Sequence, residues 1–278
     1  MAAALLKGHR RPEDIGFNGE RAYKDVLAQV AFGPRTGGSQ AHDKAVEYIK
    51  NELINAGWQV TIQRATIMGH EVENVIAERS AQEPTILLGA HYDTRLIAER
   101  DSDPLRQSQA GPGANDGASG VAVLLELART IPKDAPPLEM AFFDAEDNGN
   151  IPGWDWILGS RAFVSSMQHN PKAMILVDMV GDKDLTLPME RNSDPILTRS
   201  IWETARSLGY EDIFLSRPGM QILDDHVPFI ESGIPSVDII DINYPYWHTS
   251  QDTLDKISAD SLQAVGSTLL EWINQHKP

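Results

Sequence analysis

Short, continuous apolar runs that end in a histidine or a carboxylate are the feature that most constrains the fold of this chain. The runs "PTILLGAH", "LEMAFFDAE" and "AMILVDMV" have the length of β-strands, and their apolar residues leave no face for solvent. Segments with apolar residues at helical spacing lie between them. This alternation predicts one α/β domain with a mostly parallel sheet covered by helices on both faces.

The other elements follow from the periodicity of apolar residues and from the glycines that interrupt it. Gly57 ends the first clear helix, and the next eight residues alternate as a half-buried strand. The predicted helices cover residues 41–56, 119–131, 197–208 and 258–276. The further predicted strands cover residues 58–65, 72–79 and 235–241.

Composition excludes several classes of function. The 278 residues include 41% hydrophobic ones, enough for a substantial core, and the formal net charge is -16. An acidic surface repels phosphate, so nucleic acid is not expected as a partner, whereas the cationic amino terminus of a peptide is tolerated. There is no cysteine, so any metal must be held by histidines and carboxylates.

No targeting segment is expected in this chain. The opening "MAAALLKGHRRPED" has too short an apolar run for a signal peptide, and no stretch reaches the length of a membrane span. The sequence therefore predicts a soluble protein without a membrane partner. Cytoplasmic location and export with removal of a leader both stay open, and so does the oligomeric state.

Side chains capable of metal binding follow three of the predicted strands. His91, Glu146 and Asp178 come directly after apolar runs, and ligands of parallel sheets lie beyond the carboxyl ends of the strands. Asp93 lies two residues after His91, on the same side of an extended segment, where it can accept the second imidazole N–H. A hydrogen-bonded histidine at a strand end is the alternative interpretation.

Two further motifs carry carboxylates. Asp116 in "GANDGASG" precedes a predicted helix and can bind or bridge metal ions, or it can cap that helix, as Ser119 also could. Glu146 and Asp147 are adjacent and point in different directions. One can bind a metal while the other transfers protons.

Late motifs and two loops complete the candidate site. "DDHVPF" contains Asp225, and "YWHTSQD" places His248 directly after Trp247. The polar loop 96–112 and the loop 148–158, which carries Trp154 and Trp156, are candidate pocket walls. The remaining histidines lack an acidic context and are expected at the surface: His9, His42, His70, His169 and His276.

The order of these motifs resembles the superfamily of zinc aminopeptidases and glutaminyl cyclases, and in particular its cyclase-like bacterial branch. "GAHYDT", "GANDGASGVAVLLELAR", "FFDAED", "GSRAF", "LVDMVG", "DDHVPF" and "WHTSQDT" carry the resemblance, which runs from about Gly37 to about Trp272. It implies a twisted mixed sheet flanked by helices. It also implies a catalytic domain over residues 37–278, on which residues 1–36 pack as an N-terminal segment.

In the cyclase branch the resemblance implies one zinc ion bound by Asp116, Asp147 and His248. Glu146 would then be the general acid and base, in a hydrogen-bond network with Asp178 and Asp225. Trp154 and Trp247 would contact the substrate, the N-terminus of a peptide or protein. The superfamily usually has a second glutamate where this chain has Asp147, so the position or strength of metal binding can differ.

In the aminopeptidase branch the resemblance implies two zinc ions. His91 and Asp178 then join the ligands and Asp116 bridges the ions, while Glu146 takes a proton from the attacking water. A non-catalytic peptide-binding relative is a third reading. The tryptophan-bearing loop, the first aspartate and the proline of "DDHVPF", and Trp247 favour the cyclase.

Overall fold

The computed structural model describes residues 16–276, and it confirms the α/β fold. The central sheet has six strands in the order β1-β2-β4-β3-β5-β8, and β6 and β7 form a small separate sheet. The strands are β1 (Gln59–Ile67), β2 (His70–Glu78), β3 (Ile86–His91), β4 (Leu138–Phe143), β5 (Ala173–Asp178), β6 (Leu187–Met189), β7 (Phe214–Pro218) and β8 (Ser236–Ile240).

Strand direction makes the sheet mixed. Strands β4, β3, β5 and β8 pair in parallel, whereas β1 and β2 form an antiparallel hairpin that joins the sheet antiparallel to β4. The hairpin turns at Met68 and Gly69, both with positive φ, as tight turns between twisted strands require. The parallel half therefore directs the ends of β3, β4 and β5 to one edge, where the candidate residues lie.

Helices cover both faces of the sheet. They are α1 (Gly19–Ala31), α2 (Gln40–Asn55), α3 (Ala118–Thr130), α4 (Leu158–Ser166), α5 (Pro195–Ser207), α6 (Val227–Glu231) and α7 (Ala259–Gln275). Alternate residues of β3 divide between the two cores: Leu88 packs in the large core with α1, α2, α3, α5 and α7, and Leu87 packs in the smaller one with α4 and α6. Burial on both faces explains why the parallel strands are apolar throughout.

The predicted helices and strands agree with the structure to within a few residues at each end. The run "LEMAFFDAE" stops forming a strand at Phe143, because a turn with Ala145 in the left-handed region follows. The elements α1, α4, α6, β6 and β7 were not predicted. Helix α4 lacks a capping side chain, since its N-cap is Ile157 in the left-handed region, so no start signal marks it.

Helix α1 lies within the segment predicted to pack on the domain. It contacts α3 and α7. Residues 1–15 lie outside the described residues, and the boundary between 36 and 37 stays a prediction. Within residues 16–276, no helix combines the length and the apolar character that crossing a bilayer requires.

An ionic cluster attaches α1 to α3. Glu126 of α3 is fully buried and accepts hydrogen bonds from both Nε and Nη2 of Arg21, at 2.6 and 2.7 Å. Its Oε1 also accepts the backbone N–H of Asn18 at 3.1 Å. Arg129 lies beside it and donates to Asp25 at 2.6 Å. Arg21 and Arg129 therefore compensate the charge of Glu126, which would be costly to bury without a partner.

Replacing Glu126 by alanine tests this attachment. We expect the free energy of unfolding to fall by about 2–3 kcal/mol, somewhat less than for a fully buried ion pair because Arg21 is half exposed. Denaturant unfolding of the variant measures the change. The control is Glu231→Ala, which breaks an exposed pair with Arg161 and should stay within about 0.5 kcal/mol. Equal losses in the two variants would contradict the assignment.

Candidate metal centre and active site

The ends of β3 and β5 bring His91 and Asp178 together beside Asp116, which precedes α3. His91 Nε2 lies 3.1 Å from an oxygen of Asp116 and 3.1 Å from an oxygen of Asp178. All three residues are buried, and their ligand atoms lie within 4.8 Å of one another. An imidazole and two carboxylates at this spacing can hold a divalent metal ion.

A second group shares Asp116 with the first. His248 Nε2 lies 2.8 Å from Oδ1 of Asp147 and 3.9 Å from Oδ2 of Asp116. Asp116 thus contacts the first group with Oδ1 and the second with Oδ2. The chain therefore brings together all five predicted ligands, and Asp116 has the position of a bridge.

Backbone contacts hold Asp116 in place. Its N–H and that of Asn115 donate to the two carboxylate oxygens of Asp252, at 3.1 and 2.8 Å. Gly117 follows with a φ of 90°, and a Cβ there would lie 2.6 Å from the carbonyl oxygen of Asp93. Helix α3 has no side-chain cap, so the capping role considered for Asp116 and Ser119 is wrong. The small residues of "GANDGASG" instead allow a close approach to the strand end.

Arg35 is a buried cation beside these acids that sequence reasoning missed. It donates from Nε to the carbonyl of Tyr92 at 2.9 Å and from Nη2 to that of Gly113 at 2.6 Å. Burial lowers its pKa to about 10, against the opposing effect of Asp252 and Asp116. Arg35 is therefore still charged at neutral pH, and it offsets part of the negative charge around Asp116.

The turn that carries Glu146 and Asp147 is held by Asp93. The two oxygens of Asp93 accept the N–H groups of Glu146 and Asp147, at 3.1 and 3.4 Å. Oδ1 of Asp93 also lies 3.5 Å from His91 Nδ1. Asp93 therefore contacts the imidazole as predicted, but its hydrogen bonds go to the turn that carries Glu146 and Asp147.

His42 supports the same turn from α2. Its Nε2 lies 2.9 Å from Oδ1 of Asp144, the residue that begins the turn. The hydroxyl of Tyr92 lies 2.9 Å from the same nitrogen. His42 is only 4% exposed, so the expected surface position is wrong. Its partners are distant in sequence, and no local pattern could indicate them.

Burial controls the electrostatics of the site. Burial, together with the charge of Asp147, raises the pKa of Glu146 well above its usual range, because both disfavour the ionised carboxylate. Burial and Asp116 raise the pKa of Asp147 to about 7. Burial alone would lower the pKa of His248, but Asp147 and Glu99 outweigh it and raise the value to about 9.

The residues present fit a bound cation. Oδ2 of Asp147 and Nδ1 of His91 are buried without a hydrogen-bond partner. A buried acceptor without a donor is costly, and a metal ion at Asp116, Asp147 and His248 would satisfy Asp147. With no cysteine in the chain, the donors are nitrogen and oxygen only. Histidine with carboxylates is a donor set typical of zinc sites in enzymes.

A cavity of about 280 Å³ opens beside this centre. Its lining includes the acids Glu146, Asp147 and Asp178 and the aromatic side chains of Trp156 and Trp247. Apolar residues close the remaining sides: Met179, Met220, Ile222, Leu223, Ile240 and Ile242. The cavity thus combines a group of acids with a largely apolar lining.

Trp154 does not have the predicted position in this cavity. Its ring stacks on His70, with centroids 3.5 Å apart, and Trp156 of the same loop reaches the cavity instead. Gly149 makes this possible, because a Cβ there would lie 2.1 Å from the Trp156 ring. The pattern of the loop offered no means to choose between the two tryptophans.

Asp225 was predicted to join a hydrogen-bond network with Glu146, but neither of its carboxylate oxygens has a hydrogen-bond partner. It is completely buried and does not line the cavity, whereas its neighbour Asp224 does. Burial and the charge of Asp178 raise the pKa of Asp224 to about 7. Adjacent residues point in different directions, so the motif could indicate the pair but not which member faces the cavity.

Comparisons with known proteins show which family the chain resembles. The profile of peptidase family M28 matches residues 74–273. Aminopeptidase YwaD of Bacillus subtilis (strain 168) is 26% identical, over 92% of this chain and 56% of its own. The chain thus spans about half the length of this curated relative.

Two solved structures share the fold over nearly their whole length. Tannerella forsythia glutaminyl cyclase has a TM-score of 0.88 and 34% identity, covering 94% of this chain and 99% of its own. A Zn-dependent exopeptidase from Parabacteroides distasonis ATCC 8503 has a TM-score of 0.86 and 34% identity, covering 92% and 98%. The family profile matches well over half of the residues, and with the converging acids and histidines it establishes that the chain belongs to peptidase family M28.

Proposed function

We propose that this protein is a zinc-dependent glutaminyl cyclase, which converts the N-terminal glutamine of peptides to pyroglutamate and releases ammonia. One observation carries the proposal: Trp156 and Trp247 wall the cavity in which Glu146 lies beside the metal-binding groups. Aromatic walls exclude water, which favours attack by the substrate's own amine over hydrolysis. The likeness to Tannerella forsythia glutaminyl cyclase supports the same reading.

Asp116, Asp147 and His248 would hold the zinc ion. The unpartnered oxygen of Asp147 and the likeness to a Zn-dependent exopeptidase support this assignment. When bound, zinc supplies a Lewis acid that polarises the γ-carbonyl of the glutamine. Aspartate replaces the superfamily's usual glutamate at 147, and its 2.8 Å contact with His248 Nε2 keeps the two donors close together.

Glu146 would move the proton. The α-amine nitrogen attacks the side-chain Cδ, the Cδ–Nε2 bond breaks, and one proton passes from the amine to the leaving nitrogen. Glu146, as a carboxylate, takes this proton from the amine, and then, as a carboxylic acid, it delivers the proton to the leaving nitrogen. Its raised pKa suits both steps. The attack is intramolecular, so positioning by the cavity supplies much of the rate.

Asp178 and Asp224 would raise the affinity of Glu146 for the proton that it transfers. Both line the cavity, and their negative charges disfavour further ionisation nearby. In this arrangement Asp224 lines the cavity, a position that the sequence did not predict for it. Asp225 supports it from the buried side, where its charge also raises the pKa of Glu146.

A di-zinc aminopeptidase is the alternative function. The group of His91, Asp116 and Asp178 favours it, because these residues can hold a second ion. The similarity to Aminopeptidase YwaD points the same way. Glu146 would then take a proton from a water molecule that attacks the first peptide bond.

A paired assay separates the two reactions. The protein is incubated with a peptide that begins with glutamine and with one that begins with leucine, and products are identified by mass. We expect loss of ammonia from the first peptide and no change in the second. Release of free leucine would establish the aminopeptidase instead, and an absence of both products would contradict both enzymatic proposals.

Replacing Glu146 by glutamine tests its role. The variant keeps the shape of the side chain but cannot transfer a proton, so we expect kcat to fall about 10²–10⁴-fold while zinc content is unchanged. The matched control is Asp147→Ala, which should lose zinc as well as activity. Full turnover by Glu146→Gln would contradict the assigned role.

Zinc affinity should depend on pH. His248 has a pKa of about 9 without metal, and zinc binds only the unprotonated nitrogen, so binding releases a proton below that pH. We therefore expect the zinc affinity to rise between about pH 7 and pH 9, by about tenfold per pH unit for each proton that zinc displaces. Above about pH 9 the affinity should level off. Chelator competition at several pH values measures it. An affinity independent of pH in this range would refute the assignment of His248 as a ligand.

A further inference from the structure

Glu99 and Arg95 lie in the loop after β3 and form an ion pair. This pair contacts two of the candidate metal ligands, His248 and Asp147. Oε2 of Glu99 accepts from Arg95 Nε at 2.7 Å. Its other oxygen, Oε1, lies 2.8 Å from His248 Nδ1, the nitrogen that faces away from Asp147. Glu99 therefore bridges an arginine and a predicted metal ligand with its two oxygens.

Arg95 extends the contact to a second predicted ligand. Its Nη1 donates to the backbone carbonyl of Asp147 at 2.7 Å, and its Nη2 donates to that of Gly149 at 3.0 Å. The Arg95 side chain is only 5% exposed, so solvent does not compete for these donors. The planar guanidinium fork thus joins Glu99 to the segment that carries Asp147.

The aromatic walls fix the same loop. The Arg95 guanidinium lies 4.9 Å from the centre of the Trp156 ring, and that of Arg100 lies 4.6 Å from the centre of the Trp247 ring. The backbone N–H of Arg100 also donates to the carbonyl of His248 at 3.2 Å. The pair is therefore packed between the metal ligands and the cavity walls.

We propose that Arg95 and Glu99 act as one unit that positions His248 and Asp147 for metal binding. The inference rests on the proposal that these residues bind zinc. A carboxylate on the far imidazole nitrogen fixes the tautomer with Nε2 free for the metal, and it makes the ring a stronger donor. Arg95 holds the carboxylate and the Asp147 backbone at the same time, so neither ligand can shift alone.

Zinc titration of the full chain after chelator treatment tests this role. We expect Glu99→Ala to weaken zinc binding about 10–100-fold, as loss of a carboxylate behind a ligand histidine does elsewhere. Glu99→Gln keeps an acceptor but loses the charge, so it should fall between Glu99→Ala and the parent. Glu231→Ala removes a glutamate from an exposed arginine pair outside the cavity lining and should bind zinc like the parent.

A double-mutant cycle tests whether the pair is one unit. Arg95→Lys keeps the charge but loses the fork, and it should weaken zinc binding by itself. Combined with Glu99→Ala, it should add no more than about threefold to the larger single effect, because coupled residues are not additive. The metal-free melting temperature of Glu99→Ala should match the parent, since this side chain is 37% exposed, so a general loss of stability is separable.

The outcomes distinguish this inference from the proposed function. If the parent binds zinc and Glu99→Ala binds it equally well, the positioning role is wrong and the proposed metal site stands. If both single variants weaken binding but their effects multiply in full, the two residues act separately and the single unit is refuted. If the parent binds no zinc, the proposed function fails and this inference fails with it.

Discussion

Six buried carboxylates meet at the carboxyl ends of the parallel strands, and their mutual repulsion is the constraint on which the rest of the site depends. They belong to Asp93, Asp116, Glu146, Asp147, Asp178 and Asp224. Unpaired charges at such depth are strongly disfavoured. Protons on some of them, two histidines and Arg35 relieve part of the repulsion. A divalent cation between Asp116 and Asp147 would relieve more of it, and this would explain why the fold keeps so many acids together.

Contacts between residues distant in sequence hold these acids in place, and parts of the backbone that carries them are strained. Three non-glycine residues in or beside the site have left-handed backbones: Ala145, Met179 and His248, with φ of 52°, 45° and 57°. Such conformations cost energy and persist where surrounding contacts impose them. Around the Glu146 turn those contacts come from Asp93 and from His42 through Asp144. The apolar cores on both faces of the sheet provide the rigid frame for this arrangement.

The local sequence pattern predicted the main strands and helices and the site residues that follow the strands. It did not predict the orientation of side chains in the loops. The apolar runs predicted β3, β4 and β5, and the parallel pairing then brought His91, Glu146 and Asp178 to one edge. The orientation of a side chain within a loop has no such signal, so Trp154 was predicted where Trp156 reaches the cavity. For the same reason the sequence could not show that Asp224 lines the cavity and Asp225 does not. The sequence did not indicate Arg35 or Glu99, and it wrongly predicted His42 at the surface. Their partners lie far along the chain, and only the folded structure brings them together.

Anomalous diffraction at the zinc absorption edge, from crystals of the protein grown with zinc, shows whether Asp116, Asp147 and His248 bind the metal. We expect a strong peak bound by carboxylate oxygens of Asp116 and Asp147 and by Nε2 of His248, with Glu146 beside it and unbound. A single peak there accords with the cyclase, and a second at His91 and Asp178 accords with the aminopeptidase. A map with no peak at Asp116, Asp147 and His248, or with zinc bound only elsewhere, would refute the proposed metal site.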